Sequence, residues 1–256
     1  MSRFSEAILT EFELALYHFL MNASVPLFWL EDELPKGLCG SGTFFQQNER
    51  LFLITAAHCL EGIDLSLLAI PRAPKASNIY TLGSIDAYWP DETDILDVAI
   101  IEVLDLESRS AIFENWTVFD ESDLAEYTSG TDEKYIIVGC PAESLTAGAT
   151  VWTGRPYPAF CKPSSGKPIA AKGAAYKNVD IFLDEIESER GFEEFRPESL
   201  AGISGSGIWK IIEWPESTLW LPRKSLKLVG VQCSVKNGDF IRGKLWRWVQ
   251  GILDRA

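Results

Sequence analysis

The chain has 256 residues, of which 46% are hydrophobic, and this is enough apolar surface for one large or two small cores. Its 37 acidic and 23 basic side chains give a formal net charge of −14 at pH 7. A surface this acidic argues against binding nucleic acid or anionic membranes through a basic patch. No apolar run in the sequence is long enough to span a bilayer. Nucleic-acid-binding and membrane proteins are therefore disfavoured.

The first predicted element is an amphipathic helix over residues 5–20. Its apolar face carries Ile8, Phe12, Ala15, Leu16 and Phe19, and its glutamates lie elsewhere. This helix is expected either to pack on its own domain or to dock another protein. A signal peptide is not expected, because these glutamates interrupt what would have to be an apolar core.

Short apolar runs follow the helix, and Gly, Pro, Asn or Asp bounds many of them. This pattern is typical of an antiparallel all-β protein. The runs predicted as strands cover residues 27–30, 51–55, 65–70, 95–103, 135–138 and 227–231. Residues 243–254 place apolar side chains at helical spacing and predict a short closing helix.

Three polar residues stand beside these strands. His58, one of two histidines, closely follows the apolar run 51–55, and Asp97 immediately precedes another apolar run. Asp91 and Asp94 compete with Asp97, but neither leads directly into that run. Ser204 lies in a turn of three glycines, whose backbone N–H groups can point at a ligand. Taken singly, the three could be a core histidine, a strand cap and an ordinary loop.

Together, these residues resemble the trypsin/chymotrypsin-like serine proteases. The resemblance is carried by residues 55–59 (TAAHC), 97–100 (DVAI) and 202–205 (GISG), with support from 40–45 and 228–231. It covers roughly residues 25–250 and implies two antiparallel β-barrels with the active site between them. The implied division is an N-terminal helix over 1–24, a first barrel over 25–120 and a second barrel with the C-terminal helix over 121–256. The linker is expected near residues 121–131.

The resemblance assigns a role to each residue. A serine hydroxyl is a poor nucleophile, so His58 would take the proton of Ser204 while Asp97 orients the imidazole. The N–H groups of Gly202 and Ser204 would stabilise the oxyanion. The implied function is a serine endopeptidase that acts on proteins or peptides without cofactor or metal. The alternative is a protease-fold binding or regulatory module whose triad is idle until a partner orders it.

The resemblance also predicts the substrate pocket, whose lining would be Glu198, Ser199, Cys233, Ser234 and Val235. A carboxylate at Glu198 would favour Arg or Lys side chains in the substrate, unless Arg196 and Pro197 turn it outward. The last three pocket residues depart from the usual Ser-Trp-Gly pattern of the family, so substrate preference stays open.

Two further features separate the chain from the secreted members of this family. Ile203 stands where those enzymes carry the aspartate of their activation ion pair, so no activating cleavage is expected. Cys39 and Cys59 occupy the places where many members form a disulfide. With five cysteines in total, the framework cannot be complete, and a cytoplasmic location with both thiols reduced is expected.

Overall fold

The computed structural model describes residues 6–32, 34–90, 95–147, 152–166, 178–186, 197–212, 221–236 and 240–256. The first half of the chain contains α1 (Glu6–Met21), β1 (Val25–Glu31), β2 (Leu34–Gln47), β3 (Arg50–Thr55), β4 (Leu68–Pro71), β5 (Ile79–Thr81), β6 (Ile85–Tyr88), β7 (Ala99–Val103), α2 (Leu106–Asn115) and β8 (Val118–Phe119). The second half contains β9 (Lys134–Gly139), β10 (Thr146–Ala147), β11 (Trp152–Thr153), β12 (Tyr157–Pro163), β13 (Asp180–Glu185), β14 (Gly207–Ile211), α3 (Pro222–Ser225), β15 (Leu226–Lys236), β16 (Phe240–Leu245) and α4 (Trp246–Leu253).

Two β-units make up the molecule. In the first, the strand order is β5-β4-β1-β2-β3-β7-β6, with β8 running parallel to β2, and β5 and β6 are the edges of the described sheet. In the second, β12-β13-β16-β15-β14-β9 close into a six-stranded antiparallel barrel. The predicted all-β architecture is confirmed, and its first unit is a half-barrel.

Each unit has its own core, and a third core joins them. Leu53 and Ile101 belong to the first, and Ile137 and Ile208 to the second. The joining core takes side chains from both sheets and from the helices α1 and α4. The His58 side of the molecule is thereby held against the Ser204 side by buried apolar contact.

The predicted first and last helices are confirmed. Phe12, Leu16 and Leu20 of α1 are fully buried in the joining core, so the apolar face of this helix is covered by its own chain. Glu11 and Leu14 lie on its exposed face. Docking of another protein on that face stays a prediction. None of the helices in the described ranges has both the length and the apolarity needed to cross a bilayer.

Three elements differ from the sequence predictions. The first half of the predicted strand 65–70 is a 3₁₀ turn (Leu65–Leu67), capped by the Asp64 carboxylate, and the strand begins only at Leu68. The apolar run that begins at residue 95 becomes a strand only at Ala99, because Leu96 accepts the N–H of Val98 in a tight turn. Helix α2 was not predicted. Asp105 caps it by accepting the N–H of Ser108 at 2.8 Å, but its exposed, weakly patterned surface gives no helical periodicity to read.

Candidate active site

His58 leaves the first core at the end of a buried strand. Strand β3 ends at Thr55, and a single 3₁₀ turn (Ala57–Leu60) follows it. Ala57, Cys59 and Leu60 are buried, whereas 42% of the His58 side chain is exposed. The flanking residues therefore anchor the turn and direct the imidazole outward.

Asp97 meets His58 because their strands are neighbours. Thr55 of β3 pairs with Ala99 of β7, so the residues just beyond this pair share one end of the sheet. Nδ1 of His58 lies 2.7 Å from Oδ2 of Asp97, and the backbone N–H of His58 donates to Oδ1 at 3.0 Å. Both carboxylate oxygens thus hold the histidine, and the competing Asp91 and Asp94 lie outside the described residues.

The carboxylate changes the acid–base behaviour of the imidazole. The pKa of His58 is raised from 6.5 to about 10, and the largest cause is the hydrogen bond that Nδ1–H donates to Asp97. The contact with Cys59 is the second cause. The Cys59 sulfur lies 3.8 Å from Nε2, the nitrogen that faces away from Asp97. At rest and at neutral pH, the imidazolium form is therefore favoured.

Ser204 lies in a turn between the two units. Gly202 and Gly205 both have positive φ, +100° and +92°, and strand β14 begins two residues after Gly205. From the first unit, the N–H of Ser41 donates to the Ser204 carbonyl at 2.7 Å. From the second, the Gln232 carbonyl accepts the N–H of Gly205 at 2.8 Å. The serine is thus positioned by backbone bonds to both units.

The turn is packed so closely that Gly205 has no room for a side chain. A Cβ there would lie 2.0 Å from the Ser41 carbonyl oxygen and 2.2 Å from Oγ1 of Thr55. That hydroxyl already donates to the same carbonyl at 2.7 Å. Glycine is required for the first unit to touch the turn.

The structure brings Ser204 beside the His58–Asp97 pair without bonding it to the imidazole. The Ser204 carbonyl accepts from the Cys59 thiol at 3.5 Å, and this thiol also touches Nε2 of His58. In the described part of the chain, the hydroxyl of Ser204 has no hydrogen bond to His58. Bonds between nucleophile and base are often long in ligand-free structures and tighten in the substrate complex.

The N–H groups of the predicted oxyanion site, those of Gly202 and Ser204, are not used in backbone hydrogen bonds within the described residues. The Ala201 carbonyl accepts the N–H of Ala142 at 2.7 Å. Because a trans peptide points its C=O and N–H in opposite directions, the Gly202 N–H faces away from Ala142.

Ile203 anchors the turn by apolar packing. Its side chain is 1% exposed and belongs to the core of the second barrel. The position that carries an aspartate in the secreted proteases is therefore held here by burial.

Two of the predicted pocket residues lie at the surface. The side chains of Glu198 and Ser199 are exposed, and the carboxylate of Glu143 accepts both of their backbone N–H groups. This arrangement fixes the backbone of the segment before the turn. Whether Glu198 reads a substrate side chain stays a prediction.

The other three predicted pocket residues lie in the second half of strand β15. The Cys233 thiol is buried and donates to the Asp97 backbone carbonyl at 3.0 Å, so it supports the aspartate from the second unit. Ser234 is exposed and Val235 is partly buried. Of these three predicted pocket residues, Cys233 therefore lies against Asp97, and Ser234 lies at the surface.

Sequence reasoning missed two buried polar residues beside the turn. Gln232 and Ser206 are fully buried, and in the described part of the chain neither the Gln232 amide nor the Ser206 hydroxyl has a hydrogen-bond partner. The N–H of Gln232 donates to the Ser206 carbonyl at 2.8 Å, so the two are neighbours. A glutamine between Val231 and Cys233 in an apolar run was the signal available in the sequence.

All five cysteines are free thiols. Burial, together with the nearby Cys59, raises the pKa of Cys39 to about 12, so this thiol stays protonated. Among the described residues, no group of three or more His, Cys, Asp or Glu side chains is arranged to hold a metal ion.

Comparison with known proteins identifies the fold. No family model and no curated protein sequence matches the chain. Two similar solved structures are inactivated protease paralogues of the scabies mite. S-I1 has 12% identity and a TM-score of 0.55, and the match covers 94% of this chain and 98% of that one. S-D1 has 16% identity and a TM-score of 0.55 over 93% of each chain.

A third similar structure comes from a study of the coupled folding and binding of the intrinsically disordered Sesbania mosaic virus VPg protein. It has 13% identity and a TM-score of 0.50, and the match covers 91% of this chain and 90% of that one. At these identities the likeness establishes the fold alone. The protein has the trypsin-like fold.

Proposed function

We propose that the protein is a serine endopeptidase that forms an acyl-enzyme on Ser204. The observation that carries this proposal is the hydrogen-bonded His58–Asp97 pair, whose exposed imidazole lies beside the glycine turn that holds Ser204. A carboxylate that binds Nδ1 leaves Nε2 to accept a proton once the imidazole is neutral. The assignment of Gly202 and Ser204 as oxyanion donors is supported by their N–H groups, which donate to no backbone acceptor among the described residues.

The residues act in the following order. The Ser204 oxygen attacks a peptide carbonyl carbon, and its proton passes to Nε2 of His58. The tetrahedral intermediate is stabilised by the N–H groups of Gly202 and Ser204, and His58 then returns the proton to the leaving nitrogen as the C–N bond breaks. Water repeats the attack on the acyl-enzyme and releases the carboxylic acid. Throughout, Asp97 holds the imidazole and stabilises its charged form.

A second candidate function has support from two features of the site. The hydroxyl of Ser204 is not bonded to His58, and the raised pKa of His58 favours the form that cannot accept a proton. A protease-fold binding or regulatory module, idle until a partner or substrate reorders the turn, would have this resting geometry.

We place the free protein in a reducing compartment, the cytoplasm, a location that its five free thiols support.

Fluorophosphonate labelling tests the proposal, because the reaction needs both an activated serine and a formed oxyanion site. We expect the full chain to be labelled at Ser204 without prior cleavage. The variants Ser204→Ala and His58→Ala should lose labelling and peptide hydrolysis, whereas Ser206→Ala, the same change two residues away, should keep both.

Two results would decide against the peptidase. Hydrolysis by purified Ser204→Ala within about tenfold of the unmodified protein would remove Ser204 as nucleophile. Labelling that is absent from the free protein, and appears only when a peptide or partner protein is added, would establish the second candidate.

A further inference from the structure

A cavity separate from His58, Asp97 and Ser204 lies on the side of α1. Its volume is about 300 Å³, and its walls come from α1, the connection between β4 and β5, and the segments that flank β10 and β11. This volume is at the lower end of the range of about 300–1,000 Å³ for small-molecule sites. The cavity is large enough for a small ligand.

Within the described residues, the charged side chains that line this cavity are basic. Lys75 and Arg155 line it, and no Asp or Glu of the described ranges does so. This is unusual in a chain with 37 acidic and 23 basic residues. The guanidinium of Arg155 is hydrogen-bonded to the hydroxyl of Tyr17, which itself donates to the Pro156 carbonyl at 2.8 Å. The cation is thus placed on the wall, and a site of one sign attracts the opposite charge.

A buried hydroxyl also lines the cavity. Ser24 is 5% exposed, and within the described residues its Oγ has no hydrogen-bond partner. A buried hydroxyl without a partner costs free energy, which a ligand oxygen in the cavity would recover. An anionic oxygen would accept from this donor and would be attracted by the positive charge of the two basic side chains.

The rest of the lining is largely apolar. Met21, Phe28 and Leu145 contribute hydrocarbon surface, together with several prolines. Such walls bind an alkyl chain or a ring through burial from water. The lining therefore selects a molecule with one anionic group and an apolar body.

We propose that this cavity binds a small carboxylate with an apolar body, and that its occupancy stabilises the turn that holds Gly202. The first part is independent of the proposed peptidase function, whereas an effect on catalysis rests on it.

The link to the turn is a short chain of contacts. Cys140 lines the cavity, and a Cβ on Gly202 would lie 2.6 Å from the Cys140 carbonyl oxygen. The Cys140 N–H donates to Oγ of Ser41 at 3.3 Å, and that hydroxyl donates to the Gly202 carbonyl at 2.9 Å. The same backbone that walls the cavity thus supports the predicted oxyanion site, and a ligand that orders it favours the ordered turn.

Calorimetric titration of the full chain with octanoate and with its uncharged counterpart octanamide tests the binding. We expect saturable octanoate binding with one site per chain and clearly weaker binding of octanamide. Arg155→Gln and Lys75→Gln should each lower octanoate affinity about three- to tenfold, because each removes a solvent-accessible cation. Lys224→Gln, the same charge change at an exposed position of α3, should leave affinity unchanged. Equal binding of the two probes, or no binding, would overturn the site.

Hydrogen exchange tests the coupling without requiring activity. Octanoate should slow exchange at the amides of residues 202–205 in the unmodified protein and not in Arg155→Gln. Binding without slower exchange would refute the coupling. Fluorophosphonate labelling should also accelerate with octanoate. Slower exchange with no labelling under either condition would reject the peptidase function and retain the site.

Discussion

Around the candidate site, the two units of the molecule place their polar groups differently. In the first unit, both oxygens of Asp97 are bonded to His58, and the Thr55 hydroxyl is bonded to the Ser41 carbonyl. In the second, Gln232 and Ser206 lie fully buried beside Ser204 with unmatched side chains in the described part of the chain. The polar groups around His58 are thus paired with each other, whereas the buried side chains beside Ser204 have hydrogen-bonding capacity that no described group fills.

The largest effect is expected from a substitution at the contact between the two units. Gly205→Ala would put a Cβ 2.0 Å from the Ser41 carbonyl at a φ of +92°. We expect a loss of about 3–5 kcal/mol in the free energy of unfolding, together with loss of labelling at Ser204, since backbone would have to move. Denaturant unfolding measures the former.

Gly62→Ala is the matched control. Gly62 also has positive φ, +73°, but a Cβ there meets nothing within 4 Å. Its cost should be about 1 kcal/mol, from backbone strain alone. Similar losses for the two variants would show that the contact between the units is not what demands Gly205.

The pairing of His58 with Asp97 can be tested by replacing the carboxylate. Asp97→Asn replaces an acceptor of the His58 N–H with a side chain that does not fix the same tautomer. We expect fluorophosphonate labelling to slow by about 10³–10⁴-fold with the fold retained. Asp86→Asn, the same change at an exposed position of β6, should label at the normal rate. A labelling rate in Asp97→Asn within tenfold of the unmodified protein would remove Asp97 from the machinery.

The buried polar groups beside Ser204 can be tested by removing them one at a time. Gln232→Met and Ser206→Ala should each raise the free energy of unfolding by about 1–2 kcal/mol, because each removes a desolvated group without a partner. Thr55→Val is the contrasting variant, since its hydroxyl is bonded, and it should destabilise. If Gln232→Met were destabilising instead, the amide would have a partner and the contrast between the two units would fail.

The smallest expected effect is the pH dependence of stability from the His58–Asp97 pair. The pKa of His58 is higher in the folded state, so folding is favoured by protonation. The contribution is complete below the unfolded pKa of about 6.5 and is lost as pH rises through the folded value of about 10. It is small, because the side chains are 42% and 27% exposed and solvent screens the pair.

The measurement is the difference in unfolding free energy between the unmodified protein and His58→Gln, followed upward from mildly acidic pH. This difference in unfolding free energy should shrink as the pH rises from about 6.5 to about 10. A difference that grows with pH would reverse the sign of the coupling.

The parts of the candidate site that depend on local context could be proposed from the sequence. His58 after a buried strand, Asp97 before another and Ser204 among glycines could each be read from a few neighbouring residues. The orientation of Gln232 could not. Strand β15, which contains Gln232, has a register shift against each of its two neighbours. The shift against β14 lies between Ile208 and Trp209, and the shift against β16 lies between Gln232 and Ser234. Each shift changes the face of the strand on which the following residues lie. Such shifts depend on partner strands far away in the chain. The missed helix α2 has a different cause, because its few buried side chains leave no periodic signal.

The joining core also sets the order in which the chain can become stable during synthesis. Helix α1 is made before β9, β14 and α4, yet its buried face shares a core with all three. Until they are made, Phe12, Leu16 and Leu20 have only part of their final packing, and exposed apolar side chains in incomplete chains promote aggregation. The nascent first unit is therefore expected to be a client for chaperones until α4 has been made and the joining core can form.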